Sequence, residues 1–177
     1  MKNKVVKIVQ QEDKVLHKIA KDFTLSEIKK PETKKLIKTM IETLDSQKDG
    51  VGLAGPQIGV SKRIFVVSKN VTSDGKTMVC INPKIVKTSK ETKMLEEGCL
   101  SVRWVYGEVK RYTKVTLEYL DEDGKKQERG AGGLLSHIFQ HEVDHLDGIL
   151  FIDKAQNLSE LTDKEKEDYT KRYDLSV

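Results

Sequence analysis

Apolar residues first fall into register between Pro31 and Asp45, where Leu36, Ile37, Met40, Ile41 and Leu44 share one face at helical spacing. That spacing predicts an amphipathic helix against the core, with Pro31 in its first turn. The following stretch, KDGVGLAGPQIGV, is rich in glycine and carries Pro56, so it should end the helix and form a tight loop. Two β-rich runs come next, IFVVS and TMVCINP, separated by Ser73, Asp74 and Gly75. They predict a hairpin whose second strand stops at Pro83. VTLEYLDEDGKKQ alternates, with Val115, Leu117 and Tyr119 on one face and a turn at Asp123-Gly124. Helical spacing returns from Gly133 to Asp147, and Gly148 stands where a C-terminal cap is expected. Beyond Phe151 the chain is polar. Thr162 and Glu165 have capping-box spacing, which predicts a peripheral helix or tail within residues 154–177. No repeat or low-complexity linker divides the chain, so residues 1–177 are expected to form one α+β domain built on antiparallel sheet.

Composition narrows the setting. Charged residues make up 34% and no apolar run nears the roughly 18 residues needed to span a bilayer, so no membrane insertion is expected. The first twenty residues interleave charge with short apolar pieces and resemble neither a signal nor a transit peptide, which gives a cytoplasmic expectation. The net charge of +4 is spread among acids and bases and argues against direct nucleic-acid recognition. Cys80 and Cys99 are too few for a disulfide framework, so each is core filler, ligand or nucleophile.

The richest chemistry lies in the second helix, where His141-Glu142-Val143-Asp144-His145 is an HExxH sequence. Residues four apart share a helix face, so both imidazoles can reach one metal ion while Glu142 stands at its open side to take a proton from water. Leu134 and Ile138 lie on the same face as His141, which turns the histidines inward. A third protein ligand is wanted, and Cys99 in EEGCLS is the candidate, because Gly98 lets the backbone present a thiolate. Cys80, inside the apolar run MVCIN, reads as core. Gly50, Gly52 and Gly55 satisfy G-x-G-x-x-G, but the run follows a helix and leads into a strand, the reverse of a dinucleotide loop. Gln57 could hold a substrate carbonyl oxygen as charge develops on it.

GVGLAGPQ, EGCLS and QHEVDHLDG occur in this order and at this separation, and together they resemble the three signature motifs of peptide deformylases. The similarity spans about residues 50 to 153. It implies antiparallel sheets packed around a central metal-binding helix, and hydrolysis of the N-formyl group from the formylmethionine of newly synthesised polypeptides. It also implies Cys99, His141 and His145 as metal ligands, Glu142 as general acid and base, and Gln57 with the backbone N–H of Leu100 as oxyanion donors. Gly52 and Gly98 would flank the peptide groove, and Val51, Leu134 and Ile138 would line the methionine pocket. His137 would be pocket wall, and His17 a surface residue. The expected cofactor is one divalent ion, Fe(2+), with Zn(2+), Ni(2+) or Co(2+) as alternatives for a Cys-His-His site. The expected partners are formylated nascent peptides, with transient ribosome contact and a monomeric enzyme.

Several positions depart from the family pattern. Gly55 stands where relatives often have alanine, Arg103 and Trp104 replace a common proline, Tyr106 replaces an arginine, and QQEDKVL lacks the usual Tyr-Pro-Asp. Arg111 does fall at a family arginine position. These changes bear on groove shape more than on the reaction. Two rival readings stay open at this point. One is a zincin-type peptidase recruiting Glu160, Glu165 or Glu167 as a ligand, which would leave the Cys99 motif unexplained. The other is a non-catalytic peptide-binding descendant, which would have no need to retain Glu142.

Overall fold

The computed structural model describes residues 5–173. Its first helix, α1 (Leu25–Ile28), is opened by a capping box: Glu27 N–H donates to Thr24 Oγ1 at 3.2 Å and Thr24 N–H donates to Glu27 Oε2 at 2.7 Å. The periodic stretch forms α2 (Pro31–Ser46), starting on Pro31 and burying Ile37, Met40 and Leu44. The glycine-rich segment is more ordered than a loop. It carries strand β1 (Gly52–Ala54) and a 3-10 turn over Gly55–Ile58. A Cβ at Gly55 would approach the Val60 and Lys62 carbonyl oxygens to 2.9 and 2.8 Å, so the turn closes this tightly because no side chain intervenes.

The strands β2 (Ile64–Val67), β3 (Met78–Thr88), β6 (Lys114–Leu120) and β7 (Lys126–Gly132) join β1 in an antiparallel sheet ordered β1-β2-β3-β6-β7. A second antiparallel sheet holds β4 (Thr92–Cys99), β5 (Val102–Tyr112) and β8 (Gln156–Glu160), ordered β4-β5-β8. Helices α3 (Gly133–Leu146) and α4 (Asp163–Tyr173) complete the described chain.

Strand β2 is buried at every position because it is covered on both faces. Ile64 and Val66 join α2 and β3 in one apolar cluster, while Phe65 and Val67 face α3 with Phe139 and Leu146 in another. The expected hairpin is present, with Phe65 opposite Cys80, but it does not stop at Pro83. β3 runs on to Thr88 through a register shift between Ile81 and Lys84, with Asn82 at φ 48°. The missing N–H of proline falls inside this bulge, where the ladder needs no donor. The Asn82 side chain meanwhile bonds Phe23 N–H and C=O, both at 2.8 Å. Val115 and Leu117 of β6 are buried toward α3, as their alternation requires. The turn at Gly124 closes with a 2.9 Å bond to Asp121 C=O.

Helix α3 is pinned at both ends. Gln140 accepts from Tyr112 N–H and donates to Tyr112 C=O, both at 2.9 Å, which ties the helix to the second sheet. At its far end Gly148 adopts φ 74° and packs so closely on His17 and Lys18 backbone that a Cβ would sit at 2.9 Å. His17 itself is exposed and bonds Gln11 C=O through Nε2 at 2.7 Å. After Phe151 the chain adds β8 to the edge of the second sheet, then α4, whose capping box joins Thr162 and Glu165. No helix among the described residues is long and apolar enough to cross a membrane.

Candidate metal centre and peptide groove

One helical turn separates His141 from His145, and their ring centroids lie 4.9 Å apart. The end of β4 comes up beside them, placing Cys99 Sγ 3.2 Å from His145 Nε2. One donor atom from each of Cys99, His141 and His145 lies within 4.8 Å of the others, close enough for a single ion to touch all three. A thiolate with two imidazoles is a donor set that would suit a divalent transition metal, and three protein ligands would leave such an ion able to take water or substrate as well. Burial by itself would raise the Cys99 thiol, but the charges and hydrogen bonds of His145 and His141 outweigh it and hold the thiol well below its ordinary value.

Glu97 controls the orientation of His141. Its carboxylate accepts from His141 Nδ1 at 2.7 Å, which leaves Nε2 free toward the cluster. The same carboxylate takes Arg111 Nε at 2.6 Å, Arg111 Nη2 at 3.0 Å and His137 Nε2 at 2.8 Å. Burial works to raise Glu97, but these bonds, led by His137, dominate and keep it ionised far into acid. Arg111 continues to Asp144 at 2.6 Å, and Lys154 reaches Asp144 at 2.6 Å. Glu97, Arg111 and Asp144 were not singled out as site residues from the sequence. The available signal was that Glu97 and Asp144 lie inside the two metal motifs and that Arg111 follows at a family arginine position.

Glu142 is buried, and its Oε2 has no hydrogen-bond partner among the described residues. It lies against Gly52, where a Cβ would run into the carboxylate. Burial raises its pKa to about 7, a value that lets one group accept and return a proton near neutrality. Gln57 is fixed in orientation. Its Oε1 accepts from Ala54 N–H at 2.8 Å, so its Nε2 faces the site, 3.5 Å from Cys99 Sγ and 3.3 Å from Ser101 Oγ.

Gln57, Cys99, Leu100, His141 and Glu142 line one cavity of about 280 Å³. Val51, Gly52, Gly98, Leu134, His137 and Ile138 line it as well. His145 is not in its lining and sits behind Cys99 with 1% of its surface exposed. Leu134 stays 54% exposed in the first turn of α3, whereas Ile138 is buried one turn deeper. His137 points to Glu97 and lies outside the three-donor cluster. Cys80 lies in the core against α3, and burial pushes its thiol well up.

The model of the polypeptide deformylase family matches residues 5–161. The chain belongs to the peptide deformylase family. Similar proteins include the peptide deformylase of Fusobacterium nucleatum, 48% identical over 88% of this chain and 86% of that protein. Among solved structures, the peptide deformylase of Thermotoga maritima superposes with a TM-score of 0.79 at 37% identity, covering 86% of this chain and 99% of its own. A class I type b peptide deformylase of Acinetobacter baumannii, solved with Met-Ala-Ser bound, gives a TM-score of 0.80 at 33% identity over 86% and 99% of the two chains. With the family comes the reaction: a deformylase is a hydrolase that removes the N-formyl group from nascent polypeptides. The fold agrees with the expected α+β arrangement of antiparallel sheets around a central helix. Helix α4 begins just beyond the residues that the family model matches.

Proposed function

We propose that this deformylase acts on N-terminal formylmethionine with Cys99, His141 and His145 holding one divalent ion, ferrous iron in the cell, and with Glu142 as the proton carrier. The observation that carries the reading is the convergence of those three donors within 4.8 Å beside the buried Glu142 carboxylate, whose Oε2 has no hydrogen-bond partner among the described residues. When bound, the ion supplies Lewis acidity toward the formyl oxygen and acidity to a water. Glu142 accepts the proton of the attacking water and returns it to the departing amine, so formate and a free N-terminus result. Gln57 Nε2 and the Leu100 N–H donate to the oxygen on which negative charge develops, and the Ala54 bond to Gln57 Oε1 keeps that amide from turning away. Glu97 holds His141 in the tautomer that frees Nε2.

The apolar pocket of Val51, Leu134 and Ile138 takes the methionine side chain, and an extended peptide backbone runs past Gly52 and Gly98 beside β1 and β4. The thioether prefers such a pocket to water by about 1.5–3 kcal/mol. The same reading places a monomer in the cytoplasm that meets formylated chains through transient ribosome contact, for which the mixed-charge segment from Lys154 onward is suited.

Glu142→Gln separates the roles. It should keep metal near one equivalent and lower formate release by roughly 10²- to 10⁴-fold, the range for losing a general acid and base. Cys99→Ala should lose the metal itself. Undiminished turnover in Glu142→Gln would remove Glu142 from the mechanism.

A further inference from the structure

The cavity that holds Val51, Leu134 and Ile138 also has a wall that the metal chemistry does not use. Trp104 and Tyr106, two positions at which this chain departs from the family pattern, line it together with Tyr169 of α4. Tyr169 is the exception on a polar helix with no buried residue: its ring meets Trp104 edge-on at 5.8 Å and packs on Tyr173 at 4.6 Å.

Its hydroxyl donates to Asp49 Oδ2 at 3.1 Å, and Arg103 Nη1 bonds the same oxygen at 2.5 Å. Asp49 immediately precedes the glycine motif and Arg103 begins the wall, so α4 fastens two sides of one groove together.

The backbone at this point is also unusual. Trp104 has φ 70°, a left-handed conformation costly for a bulky residue and kept only where the surroundings impose it. Here the Trp104 carbonyl is held by Leu161 N–H at 2.8 Å, at the junction of β8 and α4, and the ring is held by Tyr169. Tyr106 closes the near end, its ring lying where a Cβ on Gly98 would come within 2.7 Å. In an extended peptide successive side chains point to opposite sides. A substrate with its methionine between Val51, Leu134 and Ile138 therefore turns its second side chain away from that pocket.

We propose that Trp104, Tyr106 and Tyr169 form an aromatic subsite, completed by the C-terminal helix, that selects formylated peptides with an aromatic residue immediately after the methionine. The inference rests on the deformylase reading of the same groove. Tyr169 and Trp104 are specificity residues in it and touch no reacting atom.

The test compares formyl-Met-Phe-Ser with formyl-Met-Ala-Ser. The wild-type kcat/KM should favour the phenylalanine peptide, and Tyr169→Ala should lower the Phe-to-Ala ratio by about 3- to 10-fold, what one or two aromatic contacts supply, chiefly through KM. Tyr169→Phe keeps the ring but loses the bond to Asp49, and should lower the ratio by less than Tyr169→Ala does. Trp104 is the single tryptophan of the chain, so its emission gives a second readout without turnover. Met-Phe-Ser should shift it at a lower concentration than Met-Ala-Ser. Equal ratios in wild type and Tyr169→Ala, or emission indifferent to the second residue, would overturn the subsite. Formate release from formyl-Met-Ala-Ser reports the deformylase reading separately, because the subsite predicts only the ratio and the emission.

Discussion

Replacing Arg111 with methionine probes the charge network beneath the metal centre. Arg111 is 4% exposed and is shared between Glu97 and Asp144, whose side chains are 1% and 13% exposed. Methionine keeps much of the apolar stem but removes the cation, leaving two carboxylates facing each other with less compensation. Removing one partner of a buried ion pair costs about 3–5 kcal/mol. Glu97 keeps its two histidines and Asp144 keeps Lys154, which places the loss toward the lower end. For a chain of this length each kcal/mol moves Tm by about 2–4 °C, so differential scanning calorimetry should show a fall of roughly 6–12 °C. The double variant Arg111→Met with Glu97→Gln should fall by less than the sum of the two single losses, because neutralising Glu97 removes part of what Arg111 compensates. A Tm within about 1 °C of wild type, or strictly additive losses, would refute the idea that this network is a coupled buried unit.

Two further perturbations address the site and the periphery. Gly52→Ala puts a methyl group where the Glu142 carboxylate rests, so kcat should fall on the order of 10²-fold with metal retained, as expected for a catalytic group displaced by about 1 Å; an unchanged kcat would mean that the working carboxylate rests elsewhere. Glu27 accepts a bond from Lys62 and from Thr24 N–H, and these hold its pKa at about 2, below the ordinary carboxylate value of about 4.5. Its folded value lies below the unfolded one, so its contribution is present above about 4.5 and is lost as pH falls toward about 2. Glu27→Gln should flatten the fall of Tm across that window by a small amount, as befits a solvent-facing pair; an identical slope would contradict the assignment.

The elements legible from sequence were those whose apolar residues repeat at a fixed period. α2 and α3 each bury one helical face, and β2, β3 and β6 carry β-branched runs that end in the core. Strands β4 and β8 gave no such signal because they are mostly exposed and are held by backbone pairing to β5. Pro83 was misleading because a β-bulge, visible only once β6 is paired, absorbs its missing donor.

The same division holds at the site. Cys99, Gln57, His141, Glu142 and His145 stand in short motifs whose spacing carries their chemistry, and the fold brings them into one neighbourhood. Glu97, Arg111 and Asp144 stand in or near those motifs, yet their joining into one network is not legible in sequence, since burial of a charge is decided by the partner that folding brings to it. Tyr169 was hidden for a related reason: α4 has no apolar stripe, and its one inward ring matters through Trp104 and Asp49, far away in the chain.

The central claim is that this groove removes formyl groups with a metal held by Cys99, His141 and His145. The most direct measurement is formate release from formyl-Met-Ala-Ser by protein purified without oxygen and loaded with ferrous iron. The account predicts one formate for each Met-Ala-Ser formed, loss of turnover on chelation and its return when the metal is restored. Metal-replete protein that releases no formate, or that cleaves the Met-Ala bond instead, would contradict it.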